Sequence, residues 1–170
     1  MTIKWLLFLI AFSLISCKSV SISLVDKGST PEEWKTFSVK TLEINAPNCP
    51  LNYAVQLSES LKDGIQNNTR LSLNTNIGEG EVYIEGNINQ YEVTPIAVQN
   101  NNNAAQNRLT VNVLFNIFIS EPKKEEMSFK IARFSDFEAT SNLSEVESVL
   151  LDDIGKQIVQ DVINKLLSNW

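Results

Sequence analysis

From Leu109 to Ile119 apolar and polar positions alternate: Leu109, Val111, Val113, Phe115, Ile117 and Ile119 share one parity, while Thr110, Asn112 and Asn116 fall on the other. A period of two belongs to extended chain, so this segment predicts a long strand with one apolar face and one uncharged polar face. Met127, Phe129 and Ile131 repeat the pattern after the turn-forming Glu121-Pro122-Lys123-Lys124. Upstream, Val82, Ile84 and Ile88 hold one parity but Tyr91 and Val93 the other, which predicts a bulge near Asn89. Phe37 and Val39 give way in the same manner to Leu42 and Ile44, a strand over residues 36–44 with an irregularity near Thr41. Shorter strand-like runs occur at residues 20–24, where Val20, Ile22 and Leu24 alternate with serines, and at residues 70–75; Gly78 and Gly80 mark a turn.

Two segments change to spacings of three and four. Ala54, Leu57, Leu61 and Ile65 form one apolar stripe, opened by Pro50 in a first helical turn and closed at Asn67-Asn68. Val146, Leu150, Ile154, Ile158, Val162 and Leu166 form another, starting at a capping box of Ser144 and Glu147. That helix would be about 36 Å long at the helical rise, close to the ~35–40 Å of the long strands. The pattern predicts an α+β fold: a mostly antiparallel sheet of four or more strands with two helices packed on one face.

The N-terminus has another character. Residues 5–15 form an apolar run of about eleven, too short to span a bilayer. Preceded by Lys4, the run fits a secretory signal. It ends in Leu14-Ile15-Ser16-Cys17, which resembles the lipobox of bacterial lipoproteins. The resemblance implies that residues 1–16 are a cleaved signal peptide and that residues 17–170 form one domain, with acyl chains on the sulfur and amine of Cys17. The alternative is an ordinary signal peptide with an incidental cysteine. Because the first strand-like run follows Cys17 closely, the tether is expected to be short.

Charge and chemistry narrow the function. Net charge is −6, about −7 once Lys4 is removed, and no basic stripe suggests nucleic acid. There is no histidine, which removes the commonest general base and metal ligand together with every Ser-His or Cys-His arrangement. No CxxC, phosphate loop or HExxH occurs, so no cofactor or metal is expected. Asp63, Asp136, Asp152 and Asp153 leave a two-carboxylate enzyme formally open, though Asp152 and Asp153 read as solvent-facing helix charges. Cys49 would be a lone thiol, either passive and partly buried or paired with another chain.

Several stretches resemble the LptE family of lipopolysaccharide-assembly lipoproteins, in the form found in Bacteroidota-like bacteria. They are Phe37-Ser-Val-Lys-Thr-Leu-Glu-Ile-Asn-Ala46, Leu57-Ser-Glu-Ser-Leu-Lys-Asp63, Glu85-Gly-Asn-Ile-Asn-Gln-Tyr-Glu-Val-Thr-Pro-Ile-Ala-Val98 and Ala104-Ala-Gln-Asn-Arg-Leu-Thr-Val111, followed by Arg133-Phe-Ser-Asp-Phe137, Asn142-Leu143 and Ser168-Asn-Trp170. The resemblance implies two helices against a four-stranded sheet and a binding role, not catalysis. It also implies a lipid-anchored, periplasm-facing protein of the outer membrane that plugs an LptD-type β-barrel and helps lipopolysaccharide pass outward. Of the family's functional residues only Cys17 carries over.

Physical reasoning adds candidate contacts. The polar, uncharged side of the strand at residues 109–119 suits the polar wall of a barrel, and so does the loop at residues 100–107 with Asn101, Asn102 and Asn103. Arg108, Lys130 and Arg133 are candidates for a lipid phosphate, or else ordinary surface charges in weak ion pairs. A competing function is a tethered carrier of amphiphilic lipid without a barrel partner, which would need an apolar cavity between sheet and helices.

Overall fold

The structure is a computed structural model that describes residues 30–96 and 106–168. Its elements run β1 (Thr36–Val39), β2 (Glu43–Ile44), α1 (Leu51–Asn68), β3 (Ser72–Leu73), β4 (Val82–Ile96), β5 (Gln106–Ile119), β6 (Glu125–Glu138) and α2 (Leu143–Ser168). The sheet order is β3-β1-β4-β5-β6, with β2 also on β4. The three long strands pair antiparallel, whereas β1, β2 and β3 make short parallel ladders. The α+β architecture expected from the periodicities is present. The strand-like run at residues 20–24, the lipobox and Cys17 lie outside the described residues, as do Asn101, Asn102 and Asn103.

The expected strand over residues 36–44 is split into β1 and β2, and the break has a clear origin. Lys40 N–H still bonds Ile84 O at 2.9 Å, but Leu42 N–H turns from the sheet and donates to Ser58 Oγ at 2.9 Å. Ser58 in turn donates to Ala54 O at 2.6 Å, so one buried hydroxyl ties α1 to the strand break. The side chain of Leu42 then lies over Gly86: a Cβ there would come within 2.9 Å of Leu42 Cδ2 and 3.0 Å of Phe115 Cδ1. A glycine in mid-strand is favourable here because a neighbouring side chain occupies its place. The bulge expected near Asn89 is also present, since the β4–β5 register shifts between Ile88 and Gln90. It lets both parities of β4 face the core, with Ile84 and Ile88 before it and Tyr91 after it.

Helix α1 buries the expected stripe, Ala54, Leu57, Leu61 and Ile65, joined by Tyr53. Pro50 stands at the cap position rather than inside the first turn, its carbonyl accepting from Tyr53 N–H at 3.0 Å. Helix α2 begins two residues earlier than a Ser144 cap would allow. Asn142 takes the capping role, its Oδ1 accepting from Ser144 N–H at 3.3 Å, and Glu147 is instead engaged by the hydroxyl of Tyr91. The capping-box reading is thereby corrected: Asn142 has the short side chain that reaches the first free N–H, and Glu147 has a tertiary partner.

The core lies between the inner sheet face and the two helices. Phe37, Ile84, Ile88, Leu109, Phe115 and Ile117 meet Leu57, Leu61, Ile65, Ile154 and Ile158, all fully buried. The helices touch through glycine. A Cβ on Gly64 would lie 2.4 Å from Val159 Cγ1, while one on Gly155 would clear Leu57 Cδ1 by 3.7 Å. At residue 64 the absent side chain is what lets α2 approach. With both helices on one side, the other face of β4–β6 is left as a broad surface.

Candidate functional site

Register defines that outer face. Across β4, β5 and β6 it is built from rows: Tyr83–Phe118–Glu126, Glu85–Asn116–Ser128, Asn87–Leu114–Lys130, Gln90–Asn112–Ala132, Glu92–Thr110–Phe134 and Thr94–Arg108–Asp136. Amides and small side chains, Asn87, Gln90, Asn112, Asn116, Ser128 and Ala132, make up much of the middle, as the polar parity of β5 led one to expect, with Glu85, Glu92, Lys130 and Leu114 among them. Asn112 is only 6% exposed although it faces outward. Its amide donates to Gln90 Oε1, and Gln90 itself donates to Glu92 Oε2 at 2.6 Å. Asn112 Oδ1 has no hydrogen-bond partner among the described residues. A buried acceptor of this kind is costly unless something external donates to it.

Aromatic rings stand at both ends of the face, which the apolar parity alone did not reveal. Tyr83 and Phe118 stack with centroids 5.7 Å apart. Beside them a depression of about 430 Å³ is lined by Gly78, Gly80, Ser120 and Lys124. At the far end the Arg108 guanidinium lies 3.6 Å above the half-exposed ring of Phe134. The signal for these residues was present: Phe118 and Phe134 have the polar parity of their strands, where a ring is not needed for the core.

The three basic candidates are not brought together. Arg108 is on the outer face, where Nε and Nη2 bond the two oxygens of Asp136 at 2.7 and 2.8 Å. That bidentate bond holds the Asp136 carboxyl below its ordinary range and raises the guanidinium. Arg133 is on the opposite, helix-facing side and makes the same fork to Asp161 of α2, both contacts 2.6 Å. Its pKa is likewise raised, first by that hydrogen bond. Lys130 is exposed on the outer face opposite Leu114, with no carboxylate partner among the described residues. A phosphate approaching either arginine would therefore compete with a carboxylate already seated on its fork.

The four aspartates singled out from the sequence stand on separate surfaces: Asp63 is exposed on α1, Asp136 is held by Arg108, and Asp152 and Asp153 are exposed on α2. Cys49 is buried near Tyr53, and burial, with a smaller contribution from Glu147, pushes its thiol up to about 11. Among the described residues no group of acids and cysteine has the geometry of a metal centre. No helix among them is long and apolar enough to cross a membrane.

Comparison with known proteins accords with this architecture. The chain is similar to the hypothetical protein CT253 from Chlamydia trachomatis, at 12% identity over 80% of this chain and 99% of that one, with a TM-score of 0.54. It is similar to a putative neuraminyllactose-binding hemagglutinin homolog from Helicobacter pylori, at 10% identity over 83% and 87%, TM-score 0.55. A third likeness is an uncharacterized lipoprotein B from Nitrosomonas europaea, at 15% identity over 79% and 83%, TM-score 0.50. At such identities these likenesses establish the fold alone. None of the curated protein sequences matches the chain. A sequence profile of the family described as "LptE: Lipopolysaccharide-assembly" matches residues 34–166, from the residue before β1's flank to the last turns of α2. Since that span takes in every element of the fold, the chain belongs to the LptE family, and its role lies in lipopolysaccharide assembly.

Proposed function

We propose that this protein is an outer-membrane lipoprotein, anchored through Cys17, that plugs and supports an LptD-type β-barrel during lipopolysaccharide assembly. The observation that carries the reading is the family match over residues 34–166. The amide-rich outer face of β4–β6, with Asn87, Gln90, Asn112 and Asn116 across its middle, supports it physically. The interior wall of a barrel is polar, and a plug must meet it with hydrogen-bonding groups that carry little charge to desolvate. Asn101, Asn102 and Asn103 fall in sequence between β4 and β5, and we include them as candidate contacts of the same barrel wall. Lys130 is the basic candidate best placed for a lipid phosphate, because its ammonium is not committed to a carboxylate among the described residues.

The competing carrier reading needs a cavity for acyl chains. Here the layer between sheet and helices is filled by Phe37, Phe115, Leu57, Leu61 and Ile158, all fully buried. Extraction of the full-length protein in mild detergent tests the proposal: a large outer-membrane β-barrel should co-purify, and its absence would overturn the reading. Cys17→Ala should release the mature protein from membranes on a salt wash; retention would refute the anchor, since multiple acyl chains are what make it permanent.

A further inference from the structure

The outer face of the sheet carries an aromatic ring beside a carboxylate at each of its two ends, and only one of them is supplied with a cation. At one end the Arg108 guanidinium lies 3.6 Å above the Phe134 ring while both oxygens of Asp136 close its fork. The three groups satisfy one another: the ring face attracts the cation and the carboxylate accepts its N–H groups. At the other end Phe118 of β5 stands directly opposite Glu126 of β6, and its ring stacks on Tyr83 of β4 with centroids 5.7 Å apart. Ring and acid again share a face, but no lysine or arginine among the described residues lies over either ring.

Both rings border the depression of about 430 Å³, with Glu125 and Glu126 on its strand side and Lys124 as the cation of its lining. A Cβ built on Gly78 would meet nothing within 4 Å, so the depression is open on that side to an incoming side chain. The Tyr83 hydroxyl donates to Glu85 Oε2 at 3.2 Å, which fixes that ring in the platform.

The surrounding charges are acidic in sum. On β6 and the turn before it Glu121, Glu125 and Glu126 outnumber Lys123 and Lys124, and Lys123 already pairs with Glu125 at 3.3 Å. On β4 and its preceding turn stand Glu79, Glu81 and Glu85, and no lysine or arginine occurs from residue 71 to residue 107 to offset them. On the β1 side Lys35 and Lys40 stand against Glu43, which pairs with Lys40 at 2.7 Å. Lys130, two rows along β6, reduces the acidic excess without cancelling it. A ring face beside a carboxylate suits a planar guanidinium better than a compact ammonium, because the guanidinium stacks on the ring while its edge donates to the acid. We propose that the Tyr83–Phe118 platform and Glu126 receive an arginine side chain that projects from the wall of the partner barrel. This inference rests on the barrel reading and assigns the chemistry of one contact within it.

The test uses the full-length lipoprotein in cells, with a photoreactive phenylalanine analogue placed at Phe118 and, separately, at Asn116. Both probes should give barrel adducts. Peptide sequencing of the Phe118 adduct should find an arginine within about two residues of the attachment point, since side chains on one face of a strand recur every second residue. Glu126→Gln should speed dissociation of the detergent-extracted complex about fivefold, and replacing that barrel arginine by glutamine should do the same. The two changes together should be no faster than either alone, because they remove one shared contact. Glu138→Gln, at the far end of β6, should leave the rate unchanged. A barrel adduct from Asn116 with none from Phe118 would overturn the proposal and leave the barrel reading standing. An adduct peptide without arginine, a lipid adduct, or additive rates in the double variant would overturn it as well. Coupling of the Phe118 probe to a segment of this chain or to a second copy would mean that the platform is filled otherwise, and the proposal fails. No barrel adduct from either probe would overturn the proposal together with the barrel reading.

Discussion

Replacing the two helical glycines by alanine should move stability in opposite directions. In a helix interior alanine is favoured over glycine by about 0.8–1.0 kcal/mol, so both substitutions begin with the same gain. Gly155→Ala keeps it, because the new methyl would lie 3.7 Å from Leu57 Cδ1 and 3.9 Å from Tyr53 Oη, ordinary contact distances. Gly64→Ala does not, because its methyl would fall 2.4 Å from Val159 Cγ1 and 3.3 Å from Ile163 Cδ1. Both partners are buried on α2 and have β-branched side chains with few alternative rotamers, so the helices must separate. Overpacking of this kind costs about 1–3 kcal/mol, which outweighs the propensity gain. Urea denaturation of the full-length protein in detergent should therefore show Gly155→Ala stabilised by about 0.5–1 kcal/mol and Gly64→Ala destabilised by about 1–2 kcal/mol. Adding Val159→Ala to Gly64→Ala should recover part of the loss, giving a favourable coupling in a double-mutant cycle. If Gly64→Ala proves as stable as Gly155→Ala, the glycine-mediated helix contact is not what sets the spacing of the pair.

Three further outcomes concern single side chains. The Glu81 carboxylate accepts from Thr36 N–H at 2.6 Å, Thr36 Oγ at 2.8 Å and Lys35 N–H at 3.2 Å. Burial alone would raise its pKa, but the bonds from Thr36 and Lys35 outweigh that and lower it. Its stabilisation is thus complete above the unfolded glutamate pKa of about 4.3 and lost as pH falls through the lower folded value; Glu81→Gln should flatten the decline measured by acid titration below about pH 4.3. Cys49, its thiol pushed up to about 11, should resist a thiol reagent at pH 8 in the folded protein and react promptly in denaturant. Tyr91→Phe, which removes the hydroxyl bonded to Glu147, should cost about 1 kcal/mol in denaturant unfolding, with the β4-to-α2 contact loosened in hydrogen exchange.

Much of the fold was legible as periodicity. The strict alternation of β5, the parity change at Asn89 and the stripes of both helices reappear as the buried residues of those elements. Sheet order was not legible, because a period of two says which face is buried but not which strand is the neighbour. The parallel placement of β1 against β4 depends on non-local bonds, such as those of Glu81 to residues 35 and 36 and of Ser58 to Leu42. The capping error had a similar source: Ser144 and Asn142 both have suitable side chains, and only the path of the chain into α2 decides between them.

The grouping of Arg108 with Arg133 shows how a site can be misjudged while its evidence is present. Arg133 shares parity with Ile131 and Phe129, so it had to face the helices, and Arg108 shares parity with Thr110 and Asn112, so it had to face outward. What the alternation could not supply was the carboxylate for each fork, Asp161 and Asp136, since those lie 28 residues away in sequence. Conversely, the uncharged stretch of the outer surface was readable on β5, and the register adds Asn87, Gln90 and Ser128 from its neighbours together with the charges of Glu85, Glu92 and Lys130.

The central claim is that this chain works inside an outer-membrane barrel with its amide-rich sheet face toward the wall. It is tested most directly by a photoreactive residue placed at Asn116, in the middle of that face, in cells producing the full-length lipoprotein. The account predicts an ultraviolet-dependent adduct with a large outer-membrane β-barrel, recovered in detergent and abolished when that barrel is depleted. An Asn116 probe that yields only lipid or soluble adducts, while the protein stays folded and membrane-bound, would contradict it.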